Sequence, residues 1–265
     1  MGGLVGVVLT GYFYRRFLGE WWPYISFRSL EGRGSFPLWG RHYFVFDGYW
    51  CVVCGGRPPY RLGMCYDCYF SVDGLRRRVV VEGLSAYDPA YADVLSDVVM
   101  REYVIYLGAF GPIYKVGVTA LDRFGSPRGF LTRLAEQGFQ YAGVVRGGFN
   151  LFEALELERD VARVFGVRDS IRFEEKVGVL HEDADLRELR VLVDEVADFV
   201  HGGVIWFGGF RWDDAVDFDS VFRGDVLFGD FDFWRGNITI VRNCSEVLAV
   251  NLNDVSSRGV MCSEV

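Results

Sequence analysis

The 265-residue chain is 51% hydrophobic and 17% aromatic, enough apolar material to bury a substantial core, so a compact folded protein is expected. No stretch approaches the roughly 20 consecutive apolar residues of a membrane-spanning helix. Around the short apolar run at 2–13 the charges Arg15 and Arg16 follow where a secretory signal places them first, so a cytoplasmic protein without membrane association is expected.

The net charge of −8 conceals an asymmetry. Residues 1–150 carry 16 Lys and Arg against 12 Asp and Glu, and residues 151–265 carry 12 against 24. A polyanion such as DNA or RNA is expected to meet the front, because phosphate binding rests on neutralisation by Lys and Arg. The acidic back half is a surface for solvent or for a protein partner.

From Val5 to Trp50 the chain is aromatic and rich in Gly and Arg, with strand-like stretches such as His42–Phe46, and reads as a small β module. Two Cys-x-x-Cys pairs follow, Cys51 with Cys54 and Cys65 with Cys68, ten residues apart. Each pair can wrap two thiolates round one corner of a tetrahedral site, and Gly55 and Gly56 suit the turn in which backbone N–H groups face the sulfurs. Four cysteines complete the shell of one structural zinc ion, leaving no open position for a water. Cys244 and Cys262 stand alone.

Leu75–Val81 reads as a strand with a basic start, and its Arg76, Arg77 and Arg78 are candidates for contacting nucleic-acid phosphates, the competing reading being a solvated strand edge. Asp88 as N-cap and Pro89 at the first helical position open a helix with Val94, Leu95, Val98 and Val99 on its apolar face. Tyr103–Leu107, a turn over Gly108–Pro112 and Ile113–Val118 form a hairpin. Ser126-Pro127 starts a short helix holding Phe130, Leu131, Arg133 and Leu134, closed by Gly138. Asn150 with Glu153 caps a helix over Leu151–Phe165, closed by Gly166. A further helix runs from about Asp185 to Val200, ended by Gly202-Gly203, and the remainder, including Gly203–Phe207 and Asn237–Val241, is β-rich.

Helical geometry singles out Glu158. Leu151, Ala154, Leu155, Ala162 and Phe165 lie on one stripe, and Glu158 occupies a slot of that stripe, whereas Glu153, Glu156, Asp160 and Arg163 fall opposite. A carboxylate there needs an ion pair, for which Arg133 is the candidate, or a metal.

The residues Val104-Ile105-Tyr106, Lys115 to Thr119 (KVGVT), Arg133 and Glu153 to Glu158 (EALELE) resemble the GIY-YIG nuclease superfamily, in which a first hairpin carries tyrosines, the next helix an arginine, and a later helix the glutamate that holds a divalent cation. The resemblance implies phosphodiester hydrolysis, with Glu158 holding Mg²⁺ or Mn²⁺, Arg133 stabilising charge on phosphoryl oxygens and Tyr106 helping to deprotonate the attacking water. Aligned on Gly117, the second motif tyrosine is replaced by Lys115, with Tyr114 one residue early. A one-residue shift moves a strand side chain to the other face, so either Lys115 supplies the base or cation, or the strand is offset and Tyr114 serves.

The chain as a whole is similar to a functionally uncharacterised, largely prokaryotic family in which a β module and a CxxC/CxxC ribbon precede YLxxxGxxYKVGVT…R…EQG. The matching residues here are MCYDCYF, IYLGAFGPIYKVGVT, Arg133 and Glu136-Gln137-Gly138. The expected fold is α+β: a β module with the zinc ribbon at 1–82, a GIY-YIG-like α/β core and following helix at 83–202, and a β-rich segment at 203–265. The expected function is that of a nucleic-acid-acting protein, either a metal-dependent phosphodiesterase or a catalytically inactive zinc-ribbon protein that binds nucleic acid or ribosomes in a regulatory role.

Overall fold

A computed structural model describes residues 5–17, 20–29, 32–56, 59–122, 129–212, 217–255 and 258–264. In chain order the strands and helices are β1 (Val5–Phe17), β2 (Glu20–Ser29), β3 (Gly32–Pro37), β4 (Gly40–Tyr49), α1 (Tyr66–Tyr69), α2 (Val72–Glu82), α3 (Ala92–Val99), β5 (Tyr103–Phe110), β6 (Ile113–Ala120), α4 (Phe130–Gln137), β7 (Tyr141–Phe149), α5 (Leu151–Phe165), α6 (Phe173–Gly178), α7 (Leu186–Phe199), β8 (Gly203–Gly209), β9 (Ser220–Val221), β10 (Val226–Arg235), β11 (Ile238–Arg242), β12 (Val247–Asn251), α8 (Leu252–Val255) and β13 (Arg258–Glu264). The fold is α+β, as expected.

The chain divides into two compact units, one built from residues 1–74 and 212–265 and the other from 75–211. The segments expected at 1–82, 83–202 and 203–265 are thus redistributed, because strand pairing ties the two ends of the chain together. In the first unit a nine-stranded sheet runs β3-β2-β1-β13-β4-β10-β11-β12-β9. Its last strand inserts between β1 and β4, pairing Val7 with Val260 and Phe44 with Cys262. Alternation along β4 turns His42, Phe44 and Phe46 inward, where they join Leu9, Ile25, Leu38, Leu227, Phe231 and Val241.

The second unit holds an antiparallel sheet in the order β6-β5-β7-β8. All eight residues of β5 are buried, as suits a central strand covered on both sides. On one face Ile105, Leu107, Val116 and Val145 pack with Leu151, Ala154 and Val161 of α5 and Leu189, Val193 and Val196 of α7. The α5 boundaries are those expected from sequence: the Asn150 side chain accepts from the N–H groups of Phe152 and Glu153, Glu153 returns the bond, and Gly166 adopts the left-handed conformation.

One element is corrected. Leu75–Val81 is not a strand but part of α2, whose N-terminus is held by the Ser71 hydroxyl accepting from the N–H of Gly74. The run of three valines suggests β structure, yet Leu75 and Val79, one turn apart, are both buried while Val80 and Val81 are exposed; core packing overrides local propensity. The helix at Asp88-Pro89 begins as a short 3₁₀ turn with Asp88 capping Ala90, then continues as α3. The expected start at Ser126-Pro127 lies outside the described residues. At the end of α7 it is His201 that takes the left-handed turn, and Gly203 already belongs to β8. Strand β7 and the short α6 were not marked by any pattern in the sequence.

Candidate functional site

The four cysteines converge in the first unit. Their Sγ atoms all lie within 4.8 Å of one another, and Cys54 and Cys65 are 3.7 Å apart, close to the ~3.8 Å edge of a tetrahedron with metal–sulfur bonds of about 2.3 Å. The loop dictates this. Gly55 is left-handed and donates to the carbonyl of Cys51 at 2.7 Å, which turns the Cys54 N–H towards the Cys51 sulfur at 3.5 Å. Leu62 and Gly63, both at positive φ, reverse the chain so that Arg61 and Met64 pair. The α1 turn then presents Cys65 and Cys68.

Burial alone would raise the Cys51 thiol, but the N–H groups of Cys54, Cys65 and Val53 outweigh it and bring Cys51 to about 6. Burial pushes Cys54 and Cys68 up, and the neighbouring sulfurs add to the rise at Cys68. Four thiolates this close repel one another unless a cation lies between them. The donor set and its spacing are therefore those of a site that can hold a metal ion.

A second cluster gathers round the β5–β6 pair of the four-stranded sheet. Tyr106 pairs across the hairpin with Gly117, and Gly108 with Lys115, so Tyr106 and Lys115 share a face. Gly117 is required there: a Cβ would lie 2.2 Å from the Tyr106 hydroxyl. Gly108 plays the same part for the Phe139 ring, 2.3 Å from its would-be Cβ. The glycine of the KVGVT stretch thus makes room for a tyrosine ring.

Tyr106 is fully enclosed, and burial pushes its hydroxyl up, with Glu158 and Glu136 adding to the rise and the Arg133 guanidinium opposing it as charge and hydrogen-bond donor. Lys115 is 8% exposed. Its ammonium donates to the Val116 carbonyl at 3.0 Å and to the Asp169 carbonyl. Burial lowers Lys115 to about 8, against the pull of Glu158 and Asp169 and with Arg133 assisting. Glu158, half-buried on α5, is raised by burial and by Asp169, and held back by Lys115, Arg159 and Arg133. Arg133 on α4 also pairs with the buried Glu136, one turn on, at 3.3 Å. Arg133 and Glu158 thus each act on both Tyr106 and Lys115.

Tyr114 does not join it. Paired with Ala109, it points to the other face, where its hydroxyl donates to Glu188 of α7 at 2.8 Å and it lines a cavity of about 620 Å³ with Phe165, Val167 and Leu192. The arginine triplet is also dispersed, because it lies on a helix and not on a strand edge. Arg76 binds the Val94 carbonyl and Asp97 of α3, Arg78 is half-buried and Arg77 is exposed. Sequence reasoning missed Asp169, which follows the α5 stop in a stretch with no periodicity. The only signal near it is the left-handed Gly166, which predicts that the chain turns back there.

Fold and sites together define an α+β protein with a four-thiol metal-type centre and a separate buried lysine–glutamate cluster. The profile of the family described as a protein of unknown function, DUF2797, matches residues 42–205, more than half the chain and both sites. The chain belongs to that family. No curated protein and no solved structure matches it. Among the described residues no helix is long and apolar enough to cross a membrane.

Proposed function

We propose that this protein acts on nucleic acid, holding zinc at Cys51, Cys54, Cys65 and Cys68 as a folding element and hydrolysing phosphodiesters at a GIY-YIG-like site of Tyr106, Lys115, Arg133 and Glu158. The observation that carries the reading is the placement of Lys115, rather than Tyr114, on the face of Tyr106 and within the field of Glu158 and Arg133. Residue type and position then suit the chemistry. Glu158 is the carboxylate that would hold a Mg²⁺ or Mn²⁺ ion, which would supply charge neutralisation at the scissile phosphate. Arg133 faces the developing charge on the phosphoryl oxygens. Lys115, at about 8, is close enough to neutrality to exchange a proton with the attacking water or the leaving oxygen. Tyr106 orients Arg133.

A second reading, a non-catalytic nucleic-acid or ribosome-binding protein with a regulatory role, is favoured by the two backbone carbonyls that already engage the Lys115 ammonium. One experiment separates them. Cleavage of structured and unstructured DNA and RNA in Mg²⁺ or Mn²⁺ is expected to be lost in Glu158→Ala and Arg133→Ala and kept in Glu156→Ala, whose carboxylate points away from the core. Salt-sensitive binding with no turnover in the wild type establishes the second reading instead.

A further inference from the structure

A cavity of about 510 Å³ is walled by Arg168, Asp169, Ser170, Arg172 and Glu175, with Ala162 and Val167 as its apolar side. The polar wall is the short connection between Gly166, where α5 stops, and Phe173, where α6 begins, bridged to β6 at Arg168 and bent at Asp169. The bend brings Arg168, Asp169, Ser170 and Arg172 together on the lining of one cavity. The stretch is pinned to β6: the N–H of Val116 donates to the Arg168 carbonyl at 2.8 Å, and the N–H of Arg168 donates to the Tyr114 carbonyl at 3.2 Å. Lys115 itself donates to the Asp169 carbonyl. The wall is therefore registered against the strand that carries Lys115.

Guanidinium forks and hydroxyls are the groups that grip phosphate oxygens and set the position of a nucleic-acid strand. Without such a ligand Arg168 is held by the Glu175 carboxylate, which also accepts the N–H of Arg172 at 2.9 Å. Resting on the reading given above, we infer that Arg168, Ser170 and Arg172 form the phosphate-binding wall of that site, taking backbone phosphates beside the scissile one, with Glu175 and Asp169 as the internal anions that a strand displaces, the first from Arg168 and the second from the Ser170 hydroxyl, which donates to it at 3.1 Å. The exchange is cheap, since an exposed ion pair is weak compared with a bidentate phosphate contact.

The test is binding of a fluorescein-labelled oligonucleotide, single-stranded and duplex, to the zinc-loaded protein across a salt series with no added divalent cation, so that cleavage plays no part. Arg168→Ala/Arg172→Ala is expected to weaken binding about tenfold or more and to lower the slope of log K against log salt by about two. Glu175→Gln is expected to tighten binding roughly two- to fivefold, by freeing Arg168 from a surface pair, a gain that misfolding cannot produce. If the double variant keeps wild-type affinity and slope, or if Glu175→Gln binds no more tightly, the wall is overturned, while cleavage that still depends on Glu158 leaves the catalytic reading standing. A wild-type protein that binds neither form overturns both.

Discussion

The four-thiol centre takes all its ligands from residues 51–68, a loop and one helical turn, whereas the lysine–glutamate cluster draws on β5, β6, α4 and α5 and on the stretch after α5. The first is closed by local turns, which hold four sulfurs so close that a cation between them would relieve their repulsion. The second exists only because a sheet and two helices pack, and strand register decides which side chain enters it. A local site of this kind would stabilise its own module when loaded with metal, whereas the dispersed one holds charges at unfavourable burial, a cost that accords with the activity proposed above.

The largest expected effect breaks the comparison at its local side. Cys65→Ala is expected to abolish a stoichiometry of one zinc per chain, read by elemental mass spectrometry. It is also expected to open residues 51–68 to proteolysis, since metal binding to a Cys₄ shell contributes on the order of 10 kcal/mol to folding. Unchanged metal content refutes the centre.

Next is the cost of burying Lys115. The unfolded chain keeps that proton to about pH 10.4, while the folded protein releases it near 8. Between those values the unfolded state holds more protons, so stability is expected to rise with pH across that window, by roughly 3 kcal/mol in total, and to flatten in Lys115→Met. Urea unfolding at a series of pH values measures it. Lys115 and Lys176 are the chain's two lysines, so ¹³C-methyl NMR after reductive methylation reads the titration directly.

Gly117→Ala tests the packing beneath the cluster. A methyl 2.2 Å from the Tyr106 hydroxyl is expected to cost about 1–3 kcal/mol, and combination with Tyr106→Leu is expected to recover part of it, as a double-mutant cycle in denaturant will show.

Legibility in the sequence followed the same division. The cysteine spacing and the α5 caps, Asn150, Glu153 and Gly166, are local devices, and both gave the right element. Leu75–Val81 reads as a strand because three consecutive valines outweigh a single capping residue, Ser71, and only the packing of Leu75 and Val79 reveals the helix. The insertion of β13 between β1 and β4 rests on pairings such as Val7 with Val260, which no local pattern encodes. The position of Asp169 depends on hydrogen bonds to the β6 edge, again without a sequence signal. For Tyr114 against Lys115 the sequence stated the question, and the pairing of Gly108 with Lys115 answers where each side chain lies.

The smallest stability effect belongs to Tyr114→Phe, which removes a hydrogen bond to the exposed Glu188 and a long one to the Asp185 carbonyl and is expected to cost no more than about 1 kcal/mol. That mildness makes it the right control for the central claim, that Lys115 and not Tyr114 completes the site. The direct measurement is the Mg²⁺- or Mn²⁺-dependent cleavage rate of Lys115→Met beside that of Tyr114→Phe. A loss of a hundredfold or more is expected in the first, in the range of a removed acid–base group, and a change of less than about twofold in the second. The reverse order, or equal rates in both, contradicts the account.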